Sequence, residues 1–450
     1  MMAKMRPMSV LLILLSSGIS ILSGVLLDHS SPGTTANYRA IYYGARCLIK
    51  HSDPYNPEDF LRVYSAESGE FPSAPVRRQF FLRAVPVCVN LPTTLFLVAP
   101  LALLTWGPSH VIWLILIGCS ITAAALLAYD LAREYAPGVA LLLICIMLAN
   151  CEVLFAVGNT AGLAVGLCVV AVWCFVRERL VWAGVLCLAV SLALKPHDSG
   201  LVWLYLLLAG GALRKRGLQA LALTVLFAIP TVMWVSGVAP HWNHELRANL
   251  AAISSHGDIS DPGPTSISRK GSTDVIIDLQ SVVSAFKDDP SFYNPVVFTI
   301  CGILLVVWGV TTLRAQGSTA NTWYALASIS ALSMLGSYHR PYDAKLLLLA
   351  VPGCACLWAR GGLIGKVGVY LVGAGTIVTA DIPLAVLSLL TRRLDVATMP
   401  LGEKLLTIFF TRPAPLVLLL VSVFYLAVYV CGKQHDAQIH VQLKAEAACQ

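Results

Sequence analysis

The chain has 450 residues, 57% of them hydrophobic and only 12% charged, with a formal net charge of +7 and a mean hydropathy of +0.75. Soluble domains carry about 25% charged residues, so this chain lacks the polar surface to cover a water-facing fold, and lipid must cover it instead. The positive balance requires no nucleic-acid partner, because scattered loop Lys and Arg facing anionic lipid account for it.

Residues 8–27 read MSVLLILLSSGISILSGVLL, with no charge across 20 positions. A bilayer core takes roughly 20 such residues in a helix. Lys4 and Arg6 precede the run as in a signal peptide, but the core is long for one and no A-x-A site follows Leu27. It reads as an uncleaved first span with a cytoplasmic N-terminus. The stretch 28–90 is too long and polar for a simple connector and is rich in aromatics, among them Tyr38, Tyr42, Tyr43, Tyr55, Phe60, Tyr64, Phe80 and Phe81. That richness argues against disorder. Within it, 37–50 fits an amphipathic helix with Tyr38, Ile41, Tyr42, Ala45, Leu48 and Ile49 on one face. Such a helix suits a membrane surface or the roof of a cavity.

Further apolar runs follow at 91–106, 109–129, 139–157, 160–176, 180–212, 217–237, 293–313, 320–336, 344–359, 364–390 and 413–431, about 12 spans in all. All are expected to be helices, because lipid cannot satisfy backbone polar groups and the runs are too apolar for barrel strands. The expected fold is therefore all-α: one polytopic membrane domain over 1–450, a second large loop at 238–292 and a short polar tail at 432–450. No matched pair of broken helices, the mark of an inverted-repeat transporter, is visible in the two halves. Most of the 13 cysteines lie in apolar runs and behave as small hydrophobes. Cys47 and Cys88 lie in or beside a polar loop and could pair if that loop faces an oxidising compartment.

Loop charge sets the expected topology. Arg214-Lys215-Arg216 is the densest basic cluster and belongs in the cytoplasm. Counting 180–212 as one long, kinked span then puts both long loops and Tyr338-His339-Arg340-Pro341-Tyr342-Asp343 outside, with the N- and C-termini cytoplasmic. This count leaves Arg177-Glu178-Arg179 outside, together with Arg392, Arg393, Lys404 and Arg412. Splitting the run at Lys195-Pro196-His197 brings the Arg177 cluster inside, at the cost of a half-span elsewhere.

Polar residues near membrane depth are costly, and four groups stand out. Asn37 to Arg46 is followed by Asp53-Pro54-Tyr55, which also fits a surface helix ending in an Asp-Pro turn. Gly158-Asn159-Thr160 separates two runs and also reads as a tight turn. Lys195-Pro196-His197-Asp198 interrupts a third run, either as a snorkelling lysine at a proline kink or as a cation for an anionic headgroup. His339, Arg340 and Lys345, with Tyr338 and Asp343, lie between two strongly apolar spans and suit a phosphate.

These residues resemble glycosyltransferase family 87. The stretch from Asn37 through Tyr42, Tyr43 and Arg46 to Asp53-Pro54-Tyr55 looks like the family's first-loop motif. Pro92 and the Leu-rich run after it, Gly158 to Leu163, Ala183-Gly184 to Leu194-Lys195, and Ser337-Tyr338-His339 with Asp343 resemble later blocks in the same order over roughly 300 residues. The resemblance implies a GT-C type enzyme that moves a sugar, typically mannose, from a polyprenyl-phosphate donor to a lipid or glycan acceptor on the outer face of a bacterial cytoplasmic membrane. The residues suit this chemistry, with His339, Arg340, Lys345 and Lys195 expected at the donor phosphate and Tyr42, Tyr43, Arg46, Asn159, Tyr338 and Asp343 expected around the substrate.

Asn37 stands where the family pattern has its first-loop acid, and an amide cannot take a proton from an acceptor hydroxyl. Three readings stay open. The base is another loop acid, Asp28 or Asp53; the match is locally shifted; or the chain binds a polyprenyl lipid without catalysis. A transporter or flippase of a lipid-linked substrate is the alternative from another class. Inverting transfer needs a carboxylate base and cations around the leaving phosphate. A monophosphate can be handled by side chains, so no cofactor and no metal is expected, although Asp258, Asp261 and Asp274 do not exclude one.

Overall fold

The computed structural model describes residues 7–30, 36–68, 88–266, 276–315, 319–391 and 399–448. Phe80, Phe81, Asp274, Arg392 and Arg393 lie outside the described residues. The described residues form helices and turns, with no strand among them. The protein is a multi-pass membrane protein. Among the described residues, five helices are long and apolar enough to cross a bilayer, or six if one bent pair counts as a span: α1 (Pro7–Ser30), α5 (Trp106–Ala132), α11 (Gly211–Val238), α14 (Pro290–Arg314) and the first part of α20 (Pro413–Ala448). Large apolar side chains such as Leu22, Met233, Val306 and Leu363 point outward on these and neighbouring helices. In water that surface would drive aggregation; against acyl chains it costs nothing.

The surface helices explain the aromatics of the first polar stretch. Helix α2 (Ala36–Ile49) buries Tyr38, Ile41, Tyr42, Ala45 and Leu48 of the face its periodicity predicts, leaves Ile49 half-buried, and also buries Ala40, Tyr43 and Cys47 off that face, so it is enclosed on most sides. The face meets protein. It packs on α4 (Pro92–Ala102) and on the start of α5, where Tyr38 stacks on Trp113 with ring centroids 4.7 Å apart. Such a ring pair adds about 0.5–1.5 kcal/mol beyond area burial. Arg46 clamps α2 to α3 (Pro57–Ser68) through Glu67, with nitrogen–oxygen distances of 2.6–3.1 Å, and also donates to the Ala102 carbonyl at 2.9 Å. Burial alone would raise the Glu67 carboxyl, but hydrogen bonds from Arg46 and Lys50 outweigh it and hold the carboxyl below its ordinary value.

The expected single span over 180–212 is two helices. Helix α9 (Val181–Leu194) ends at Lys195, and α10 (Pro196–Ala209) starts at once with its proline in the first helical position. Their partners show that the chain reverses there. Ser191 at the end of α9 donates to Ala164 O near the start of α8 (Ala161–Val176), whereas Trp203 on α10 donates to Gly217 O near the start of α11. Arg216 on α11 in turn reaches Phe175 O and Glu178, beside the start of α9. Arg177 and Glu178 therefore lie at the same end as Arg214–Arg216, and the placement from the kinked-span count is corrected.

The apolar run 91–106 corrects in the opposite direction. Thr93 and Thr94 at the start of α4 donate to Ala193 O and Leu194 O, at the Lys195 end of α9. The other end of α4 meets Arg46 and Tyr42 on α2. Both ends thus lie on the Lys195 side, and 11 residues rise only about 16 Å, so α4 does not cross. Hydropathy cannot tell a buried half-helix from a span. The run 364–390 also divides, into α17 (Gly362–Val378) and α18 (Asp381–Thr391), bent by 67° where they meet.

The second polar stretch is tied to the first. Asn249, on α12 (Trp242–Ile253), donates to Tyr55 O at 2.9 Å and to Cys88 O at 3.1 Å. Cys47 and Cys88 are both buried as free thiols.

Candidate functional site

The α9–α10 reversal carries the densest polar cluster at that end. Lys195 has an extended backbone, φ −153° and ψ 79°, between the last turn of one helix and the first proline of the next. Its ammonium bonds Asp343 Oδ1 and lies 3.3 Å from Asp198 Oδ2. Asp198 and Asp343 are each about 1% exposed. Carboxylates this deep persist only when paired. The second Asp343 oxygen accepts from the Arg340 backbone N–H at 2.7 Å, closing the turn before the 3-10 segment Asp343–Leu349.

His339 and His197 complete the group. His339 Nε2 lies 3.5 Å from Asp198 Oδ1, and His197 Nε2 lies 3.7 Å from the same oxygen. The two imidazoles meet edge to face, with centroids 5.1 Å apart. His339 is 1% exposed, while the His197 side chain is 41% exposed, so the cluster opens on the His197 side. His339 O accepts from Ile277 N at 3.0 Å, which ties the second polar stretch to this turn.

Of the residues expected at a donor phosphate, Lys195 and His339 meet around Asp198. Arg340 is near in sequence, but its guanidinium is engaged by the Tyr338 hydroxyl and by Ile259 O at 3.0 Å. Lys345 does not join them. It turns the other way along the 3-10 segment and donates to Asn150 O at 3.0 Å, at the break between α6 (Pro137–Ala149) and α7 (Glu152–Val157). Tyr338 stacks under Arg340, and Asp343 is the direct partner of Lys195. Tyr42 and Tyr43 pack with each other and with Trp106, and the Tyr42 hydroxyl donates to Leu104 O. With Arg46 held by Glu67, these three build the α2 scaffold. Asn159 Oδ1 accepts from Ala161 N at 2.8 Å, in the turn that leads into α8. Gly158 before it takes φ +61°, and a Cβ there would meet Tyr38, so Gly at this position lets α2 approach the turn.

The three first-loop positions separate. Asn37 is half-buried in the first turn of α2. Asp28, at the end of α1, is half-buried with Oδ2 3.9 Å from His110 Nε2, and the His110 ring stacks against Trp106 and Tyr38. Asp28 thus borders an aromatic nest, and Asn37 precedes Tyr38 of that nest in the chain. Asp53 lies elsewhere. Its Oδ1 accepts from Tyr55 N at 2.8 Å and Asn56 N at 3.3 Å, an Asp-Pro turn.

His197 and Asp198 belong to a group that stands out in the sequence, where only Lys195 is given a role at the site, and Glu245 is not singled out at all. Asp198 and His197 sit beside Lys195 in the chain, and only the reversal faces them toward His339. Glu245 on α12 lies against Asp53 without any sequence signal. Burial, the contact with Asp53, and the Asp53 and Asp59 charges raise its carboxyl to about 7. The folded protein therefore holds this proton more tightly than the unfolded chain, and stability falls as pH rises from the ordinary 4.5 to about 7. Glu245→Gln removes that dependence. Thermal midpoints followed by intrinsic fluorescence from pH 5 to 8 should decline in the parent protein and less in the variant; equal declines would assign the dependence to another group.

Two groups of His and Asp among the described residues have the spacing to hold a metal ion: His197, Asp198 and His339, and His256, Asp261 and Asp288. In the second, His256 Nδ1 lies 3.7 Å from Asp261 and 3.8 Å from Asp288.

No curated protein and no solved structure matches the chain. The model of glycosyltransferase family 87 matches residues 90–337, more than half of the sequence. The match contains Asn159, Lys195, His197 and Asp198, and it stops short of the first-loop residues on one side and of His339 and Asp343 on the other. With several apolar helices around a buried polar cluster, the chain belongs to glycosyltransferase family 87 and is a membrane glycosyltransferase.

Proposed function

We propose that the protein transfers a hexose, with mannose the first choice, from a polyprenyl-phosphate donor to a lipid or glycan acceptor at the outer face of a bacterial cytoplasmic membrane. The observation that carries this reading is the meeting of Lys195, His197 and His339 around Asp198 at a helix reversal, opening on the His197 side. Cationic and N–H groups of this kind stabilise charge that develops on a leaving phosphate. Asp198 and Asp343 hold them in place and offset their charge in the resting state.

The basic residues at the other end, Arg177 and Arg214–Arg216, support a cytoplasmic assignment for that end. The Lys195 end, with α2, α3 and α12 gathered over it, then faces outward, and both termini lie in the cytoplasm. An apolar recess of about 400 Å³ between α4 and α11, lined by Phe96, Leu97, Pro100, Leu103 and Trp234, offers a surface for a prenyl chain on the same side. Asp28 is the base in this reading. It borders the aromatic nest through His110, whereas an Asp53 oxygen is occupied by its own turn.

The test is transfer of radiolabelled mannose from polyprenyl-phosphate-mannose in membranes with and without the protein, alongside His339→Ala. Transfer above background that falls by about 10²–10³ in His339→Ala, the cost of losing one group that stabilises a transition-state anion, supports the reading. Failure with a panel of polyprenyl-phosphate sugars and crude acceptors would favour a lipid-binding role.

A further inference from the structure

We propose that His197, Asp198 and His339 form a binding site for a single first-row divalent metal ion of the zinc class. The inference departs from the expectation that side chains alone serve the phosphate. It rests on the reading above in one respect: the open position of the ion would take a phosphate oxygen of the donor.

His339 Nδ1 lies 2.8 Å from Ser337 O. A carbonyl only accepts, so Nδ1 carries the proton. In the neutral ring Nε2 is then a bare lone pair. That lone pair is buried, has no hydrogen-bond donor, and faces Asp198 Oδ1 at 3.5 Å. Both Asp198 oxygens are also buried without a hydrogen bond in good geometry. Two acceptors facing each other in a dry site repel. The pair therefore calls for a positive charge at this point, either a metal ion between the two atoms or a proton on Nε2.

A metal ion satisfies this geometry. A metal-bound imidazole commonly donates its other N–H to a backbone carbonyl, the role Ser337 O has here. Metal–nitrogen and metal–oxygen bonds of about 2.0–2.2 Å in a tetrahedron set ligand atoms roughly 3.4 Å apart. His339 Nε2 and His197 Nε2 stand 3.5 and 3.7 Å from Asp198 Oδ1, and all three ligand atoms lie within 4.8 Å of one another. The half-exposed His197 ring can supply the small closure needed. Three protein ligands leave a fourth position, toward the exposed side. Two imidazoles and one carboxylate suit zinc-class ions; magnesium and calcium prefer oxygen alone. Lys195 does not occupy the site, because its single charge is divided between Asp198 and Asp343.

The competing state is an imidazolium at His339 in an ion pair with Asp198, and it is an outcome of the test. The full-length protein, purified in detergent and stripped with a chelator, would be titrated with Co²⁺ alone and followed by its visible absorption. We expect one Co²⁺ per chain with bands of tetrahedral intensity, displaced by Zn²⁺. His197→Gln should weaken binding by at least about 100-fold, more than loss of one outer-shell partner costs. This ring is half-exposed, so its loss leaves the fold intact. His256→Gln, in the other group, should leave the signal unchanged. No stoichiometric Co²⁺ or Zn²⁺, or a signal unaffected by His197→Gln, overturns the site. Transfer by a protein that binds no metal would overturn the site and leave the glycosyltransferase reading standing. Metal bound without transfer from any polyprenyl-phosphate sugar would keep the site and defeat that reading instead.

Discussion

Asp28→Asn should lower the transfer rate by about 10²–10⁴, the usual contribution of a positioned general base, while donor affinity stays near that of the parent protein. The loss belongs to the chemical step, because the amide keeps the size and half-burial of the side chain opposite His110 but cannot accept the hydroxyl proton. Asp53→Asn should change the rate little. An asparagine Oδ1 accepts the Tyr55 and Asn56 N–H groups as the carboxylate does, so the Asp-Pro turn survives. Rates at saturating donor, with donor binding measured separately, distinguish these variants. If Asp53→Asn abolishes transfer and Asp28→Asn spares it, the base is Asp53. If both spare it and Asn37→Asp raises it, the acid belongs on the first turn of α2.

The second large effect is on stability. Lys195→Met should destabilise the protein by about 3–5 kcal/mol, because it leaves Asp198 and Asp343, both about 1% exposed, as buried charges without their common partner. Transfer should fall as well, since the ammonium is one of the groups assigned to the leaving phosphate. Asp343→Asn in the same chain removes one orphaned charge and should restore part of the loss. A double-mutant cycle in the thermal midpoint of the purified protein measures this coupling. Additive effects of the two substitutions would show that the ion pair contributes nothing measurable, and that Lys195 is held by its backbone turn alone.

Composition and run length determine the class of this protein. With so few charges over 450 residues, only lipid can cover the surface, and only helices can then satisfy the backbone. Part of the burial of α2 was also legible, because Tyr38, Ile41, Tyr42, Ala45 and Leu48 recur at helical spacing, but the burial of Ala40, Tyr43 and Cys47 off that face was not. The tertiary structure decided what hydropathy cannot carry. Apolarity is the same for a span, a half-helix and a hairpin, so 91–106 and 180–212 read alike until the contacts of Thr93, Thr94, Trp203 and Arg216 show which way the chain runs. Lys195 and His339 stood out in two separate polar groups between apolar runs, 144 residues apart in the chain. That they share Asp198, and that Lys345 two positions beyond Asp343 faces Asn150 instead, depends on side-chain direction around one reversal and one 3-10 segment. Those directions are set by packing between segments more than a hundred residues apart, which no local pattern encodes.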